Sequence, residues 1–175
     1  MVRFLKDLYR FKLGANNAKG FTLLEVMIVL AIISITAVVG VPKYQGVKDQ
    51  YRLEGSGQTV ISELKYSKQL AMDQRRTTYV VFSNSQVQTM QVLNGNYQVL
   101  DSKKFETGVS FDPSQNSWLT RINDLNTGVL VGWGMSYNYQ GFASSFGTIS
   151  LKHGNGRTVG VRIAEKTGMI TLTWP

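Results

Sequence analysis

Cysteine is absent from the 175 residues, and histidine occurs once, at position 153. Without cysteine the chain forms no disulfide, so its stability comes from packing, and oxidising and reducing compartments are equally open to it. The common zinc sites and the histidine-based catalytic relays need several such side chains at set spacings. The sequence therefore predicts a protein that is not an enzyme and that has no metal site and no cofactor. His153, beside Gly154-Asn155-Gly156, is predicted to be a surface turn residue.

Acidic residues are also scarce, at 11 against 19 basic ones, and the formal net charge is +8. Half of this surplus lies in the first twenty residues, where one acid, Asp7, stands among Arg3, Lys6, Arg10, Lys12 and Lys19. If that segment is removed, the remaining surplus is mild and argues against a dedicated nucleic-acid surface. Nucleic acid is therefore not the expected partner.

A long apolar run is the most informative feature that is present. No charge occurs from Val26 to Val41, and Glu25 is the one charged residue between Phe21 and Val41. A bilayer core of roughly 30 Å is crossed by about 20 helical residues, so this segment can span a membrane once. Basic residues before it and mixed charges after it predict a cytoplasmic N-terminus and an extracytoplasmic remainder.

A secretory signal peptide has the same order of basic and apolar segments and is the first alternative. Signal peptidase prefers small residues after the apolar core, and Ala37 to Pro42 offers a poor match. Glu25 also argues against it, because a carboxylate inside an apolar segment costs free energy on insertion that a disposable signal would not need.

The residues from Lys19 to Glu25, Lys-Gly-Phe-Thr-Leu-Leu-Glu, followed by the apolar run, resemble the cleavage motif of type IV prepilins. This resemblance implies that an inner-membrane prepilin peptidase cuts after Gly20 and methylates the new amine of Phe21. It also implies that the Glu25 carboxylate neutralises the N-terminal amine of a neighbouring subunit during filament assembly. The expected partners are other pilins or pseudopilins, the peptidase and an inner-membrane assembly platform.

Beyond the apolar run, Pro42 removes a helical hydrogen bond and predicts a kink. A helical pattern resumes from Tyr44 to Gln74, and Gly55-Ser56-Gly57 predicts local fraying within it, since each interior glycine costs about 1 kcal/mol relative to alanine. Leu64 to Met72, followed by Arg75-Arg76, is similar to the end of the first helix in the GspH/FimT group of minor pilins and pseudopilins.

From Thr77 onward the apolar residues alternate, which is typical of strands. Strands are predicted over 78–83, 86–93, 97–100 and 104–111, with a turn at Asn94-Gly95-Asn96. A three-strand antiparallel meander is predicted over 148–153, 158–163 and 169–174, with turns at 154–156 and 166–168. The likeness to the GspH/FimT group extends over this region in pattern.

The aromatic-rich segment from Ser117 to Phe146 has two interpretations. Its aromatic side chains either form a contact surface or fill the space between sheet and helix. They are Trp118, Trp133, Tyr137, Tyr139, Phe142 and Phe146.

Together these patterns predict the α+β class, with a long N-terminal helix packed on a C-terminal antiparallel β-rich domain. The predicted segments are a leader (1–20), a transmembrane and assembly half-helix (21–42), an amphipathic half-helix (43–76) and a β-rich domain (77–175). The expected function is that of a minor pseudopilin of type II secretion or a minor pilin, in the inner membrane with its C-terminal domain outside the cytoplasm.

Two alternatives stay open, a secreted β domain behind a signal peptide and a DNA-binding minor pilin. The second would use a basic strip on the last strands, formed by Lys152, Arg157, Arg162 and Lys166. Some FimT-like members carry Gly-Arg-x-Arg near the C-terminus, whereas this sequence has Gly168-Met169-Ile170-Thr171.

Overall fold

The computed structural model describes residues 20–125, 127–165 and 169–174. It divides after Lys43 into two compact units. One helix, α1, runs from Leu23 to Asp73 and belongs to the first unit up to Lys43 and to the second from Tyr44. All the strands follow α1 in the second unit, so the predicted α+β class with a long N-terminal helix is confirmed. The predicted leader up to Lys19, Lys166 and the turn at 166–168 lie outside the described residues.

The second unit contains two antiparallel sheets. The five-stranded sheet has the order β3-β2-β1-β6-β5 and the four-stranded sheet has the order β4-β7-β8-β9. Their strands are β1 (Thr78–Ser83), β2 (Gln86–Leu93), β3 (Asn96–Lys104), β4 (Val109–Phe111), β5 (Thr120–Asn123), β6 (Leu130–Tyr137), β7 (Gly147–His153), β8 (Thr158–Ile163) and β9 (Ile170–Thr173). A short 3₁₀ helix over Pro113–Gln115 lies between β4 and β5.

Most of the predicted strands are confirmed. The bounds of β1, β2 and β8 agree with the prediction, and β7, β8 and β9 form the expected meander. The single strand predicted over 104–111 is wrong, because the chain leaves β3 at Lys104, turns at Gly108 with a φ of 86° and enters the other sheet as β4. Only the last three residues of that predicted strand form β4, and the pair β5–β6 was not predicted.

The core lies between α1 and the sheets. On the helix, Leu53, Val60, Leu64 and Ala71 are buried at spacings of seven, four and seven residues, which places them on one face. They pack against alternating residues of β1, β7 and β8, among them Phe82, Leu151 and Val161. Apolar burial on this face supplies the main stabilisation of the unit.

Fraying at Gly55 to Gly57 is the second wrong prediction, since α1 is helical throughout this stretch. A Cβ built on Gly57 would lie 2.5 Å from Leu172 Cδ1, so the missing side chain lets β9 approach the helix. Ser56 is buried, and its hydroxyl accepts a hydrogen bond from the Glu106 amide at 2.9 Å. Tertiary contacts therefore outweigh the low helix propensity of the glycines. The kink at Pro42 stays a prediction.

The aromatic segment divides between the two interpretations. Tyr137 is buried in the core, and Trp118 and Trp133 pack against it. Tyr139 and Phe142 are 57% and 64% exposed, on a loop closed by hydrogen bonds from the Gln140 and Phe142 amides to the Asn138 side chain. Phe146 is also exposed.

Close strand approach at β6 leads to a first prediction. A Cβ built on Gly134 would lie 2.2 Å from the carbonyl oxygen of Val80 on β1, a backbone atom that cannot move alone. Gly134→Ala is expected to lower the free energy of unfolding by about 2–3 kcal/mol through overpacking. Gly154→Ala is the matched control, because nothing lies within 4 Å of a Cβ there, and it should change stability by less than about 0.5 kcal/mol. Equal effects in chemical denaturation would contradict the close packing.

Candidate functional site

The candidate site is the start of α1, where the predicted cleavage motif lies. Thr22 is the cap of the helix: its hydroxyl accepts a hydrogen bond from the Glu25 amide at 3.2 Å, and its carbonyl accepts one from Val26. Threonine followed three residues later by glutamate is the capping-box pattern. The helix therefore begins within the motif, directly after Phe21. The spacing of Thr22 and Glu25 is a local signal in the sequence for this helix start.

Backbone access at the predicted cut is open. Gly20 is exposed, and nothing lies within 4 Å of a Cβ built on it. Phe21 is exposed as well. A peptidase that needs an extended, unhindered backbone could reach this bond, since glycine adds no side chain.

The first unit presents an apolar helix that nothing in its own described chain covers. From Leu23 to Val38 the large apolar side chains are exposed, and the most apolar eighteen-residue window of α1 has none of its residues buried. By length and composition this is a helix able to cross a membrane. Water is a poor solvent for such a surface, so lipid or apolar helices of other molecules have to cover it.

The polar side chains within this helix are satisfied internally, with one exception. The Ser34 hydroxyl donates to the Leu30 carbonyl at 2.8 Å, and the Thr36 hydroxyl donates to the Ile32 carbonyl at 3.0 Å. Such bonds are what a lipid environment demands. Among the described residues, no donor or cation reaches the Glu25 carboxylate. Glu25 is therefore an exposed acid on an apolar helix with no partner in its own described chain.

Comparison with known proteins gives two findings. Residues 15–41 match the family model described as the prokaryotic N-terminal methylation motif. The fold is similar to that of the minor pseudopilin EpsH from the type 2 secretion system of Vibrio cholerae, with a TM-score of 0.52 and 12% identity, over 71% of this chain and 98% of that one. No curated protein sequence matches. The chain thus combines a prepilin-type methylation motif with a pseudopilin-like fold.

The basic residues of the predicted DNA strip take different positions in the pilin-like domain. Lys152 and Arg162 are on the exposed face of β7 and β8. Arg162 pairs with Thr148, four residues from Lys152, which separates the two cations by about 13 Å along the strand. Arg157 instead donates from Nη1 to the carbonyl oxygen of Gly46 on α1 at 3.0 Å. One N–H group of its guanidinium is thus used in a contact within the domain.

His153 is not the surface turn residue that the sequence predicted. It is 8% exposed, because the β7–β8 turn folds against the first helical turns of the second unit. Its Nε2 faces Asp49 Oδ1 at 3.5 Å, and the side-chain Nδ2 of the neighbouring Asn155 donates to Asp49 Oδ2 at 3.0 Å. Together with Arg157 and Gly46 these contacts form a polar clasp between the turn and α1.

The clasp gives a second prediction. Arg157→Ala removes the hydrogen bond to Gly46 and is expected to lower the free energy of unfolding by about 0.5–1 kcal/mol, the scale of a hydrogen bond at an exposed position. Arg162→Ala is the control, because the Arg162 side chain has no such contact among the described residues, and it should be neutral. Chemical denaturation of both variants measures this, and a neutral Arg157→Ala would show that the clasp does not hold the turn.

Proposed function

We propose that this protein is a subunit of a type IV pilus or a type II secretion pseudopilus, processed by prepilin peptidase. The observation that carries the proposal is the uncovered apolar helix of 23–38, which lies within the matched methylation motif and contains a carboxylate, Glu25, that has no partner among the described residues. Cleavage after Gly20 would leave this helix at the N-terminus of the mature protein, with Phe21 as its methylated first residue. The helix then serves as membrane anchor before assembly and as filament core afterwards.

Glu25 has a specific role in this proposal. After cleavage, the free amine of Phe21 would lie four residues before Glu25 in the same chain. Because α1 begins between these two residues, the Glu25 carboxylate extends from the side of the helix. In an apolar setting a charge pair between the amine of one subunit and Glu25 of another is strongly favoured over either charge alone. The pair would set the axial position of each incoming subunit.

The same features support a location for the subunit in the cell. The membrane helix, with basic residues before it, supports an inner-membrane, single-pass precursor whose second unit is extracytoplasmic. Among filament subunits, the fold likeness to EpsH favours a minor pseudopilin or minor pilin. An inner-membrane assembly platform is the further partner we infer, because a membrane-held subunit has to be extracted to join a filament.

A DNA-binding minor pilin is the second candidate, and the geometry favours it less. Of the described residues of the strip, Lys152 and Arg162 share a face about 13 Å apart, and Arg157 donates to α1. A protein that binds DNA through phosphates needs several such contacts and shows steep salt dependence. Weak or absent binding at physiological salt is therefore expected.

Processing gives the third prediction. Gly20→Val places a branched side chain beside the predicted cut, and we expect full-length precursor to accumulate in the membrane. Immunoblotting of membranes from cells with an active prepilin peptidase measures this. Gly40→Val is the control, since a Cβ at Gly40 is equally open but lies within the helix, and it should be cleaved normally. Normal cleavage of Gly20→Val would contradict the proposed site.

Assembly gives the fourth prediction. Glu25→Val should be processed normally, because the acid lies beyond the cut and its removal lowers the cost of insertion. Its incorporation into filaments should fall sharply, since breaking one side of a buried charge pair costs about 3–5 kcal/mol. The measurement compares sheared-filament and membrane fractions of the wild type and the variant in cells that express the full set of subunits.

The matched control is Thr22→Val, which removes the helix cap and leaves the carboxylate in place. It should cost about 1 kcal/mol of helix stability and reduce incorporation far less. Incorporation of Glu25→Val at the wild-type level would mean that Glu25 is not the docking charge.

A further inference from the structure

A buried acid lies in the interface between α1 and the five-stranded sheet of the second unit. Glu63 of α1 is 1% exposed. The Thr89 hydroxyl of β2 donates a hydrogen bond to Glu63 Oε1, and the Ser67 hydroxyl lies 2.6 Å from Thr89 Oγ1. Because Thr89 gives its proton to Glu63, Ser67 is the donor in the second bond. The three buried side chains form one chain of hydrogen bonds that ties α1 to β2.

Glu63 forms no ion pair with a basic side chain of the described residues. The ion pairs among the described residues are Arg52–Asp49, Lys103–Asp101 and His153–Asp49, and none includes Glu63. On β3, Asp101 raises the pKa of Glu63 and Lys103 lowers it. Lys103 is itself paired with Asp101 at 3.1 Å. Tyr66 of α1 raises the pKa of Lys103, and the Thr89 hydroxyl of β2 donates to Glu63.

Burial raises the pKa of Glu63, and this effect is larger than the lowering by the Thr89 hydrogen bond. The neutral acid is therefore the form that fits the folded interface. A carboxyl whose pKa is raised by folding stabilises the fold fully below its ordinary pKa and loses that contribution as the pH rises through the raised value. Within that window the folding constant falls about tenfold per pH unit for one proton.

We propose that Glu63, Thr89 and Ser67 form a pH-sensitive latch between α1 and β2, which is closed when Glu63 is protonated and weakened when it is ionised. The protonated carboxyl keeps its carbonyl oxygen as acceptor for Thr89, so the hydrogen-bond chain survives protonation. Ionisation leaves a buried charge that is relieved when the helix moves away from the sheet. The latch does not depend on the filament assignment.

The test uses the full-length chain in detergent micelles. Thermal unfolding of the second unit is followed by circular dichroism of its strands between pH 5 and pH 8, and the Glu63 carboxyl is titrated by carbon-13 NMR. The wild type is expected to lose several degrees of Tm as the pH rises, with a Glu63 midpoint above that of an ordinary glutamate. In Glu63→Gln, a neutral isostere, this loss should disappear.

Two further variants separate the latch from general charge effects. Asp101→Asn removes a charge that raises the pKa of Glu63 and frees Lys103 from its pair, so the Glu63 midpoint should fall and the loss of Tm should begin at a lower pH. Thr89→Val removes the donor and should raise the Glu63 midpoint further. The proposal is overturned if the Glu63 midpoint is ordinary, if Glu63→Gln and the wild type have the same pH dependence, or if Thr89→Val leaves the midpoint unchanged.

Discussion

Close packing of α1 against both sheets, from Leu53 to Ala71, is the interaction on which the second unit depends. Core residues of both sheets join those of this helical face in one cluster. Small residues make the approach possible: Gly57 leaves room for Leu172 of β9, and Ser56 ties the helix to the chain that crosses between the sheets. A helix with larger residues at these positions would hold the four-stranded sheet further away and weaken the core.

The first part of α1 differs from the second in the exposure of its apolar side chains. Its large apolar side chains are exposed in the described chain, and its hydroxyls bond to its own carbonyls, so the helix has no requirement for water. The second half of α1 thus packs on the sheets of its own domain, and the first half presents a surface that suits lipid or helices of other molecules. The Glu25 carboxylate is the exception in that second surface, which is why we assign it to a contact with another molecule.

Sequence alone predicted the parts whose signals are local. The motif from Lys19 to Glu25, the apolar run and the alternating strands β1, β2 and β8 can each be read within a few residues. Strand β6 was missed because Gly132 and Gly134 interrupt its alternation, and the reason for these glycines is their close contact with β1. Strand β5 was missed because it has four residues and buries one of them, Ile122. The burial of His153 was missed because Asp49, which it faces, is distant in the sequence. The low helix propensity of Gly55 and Gly57 led to the wrong prediction of fraying, because the packing of Leu172 against Gly57 outweighs it.

The most direct test of the central claim is the N-terminus of the mature protein. Membrane-extracted protein from cells with a prepilin peptidase is purified and its first residues are determined by sequencing and intact mass. The account predicts a chain that starts at Phe21 and carries one methyl group on its amine, with the apolar helix retained. A chain that starts at Val41, after Gly40, would show that the apolar helix is a disposable signal and would contradict the account.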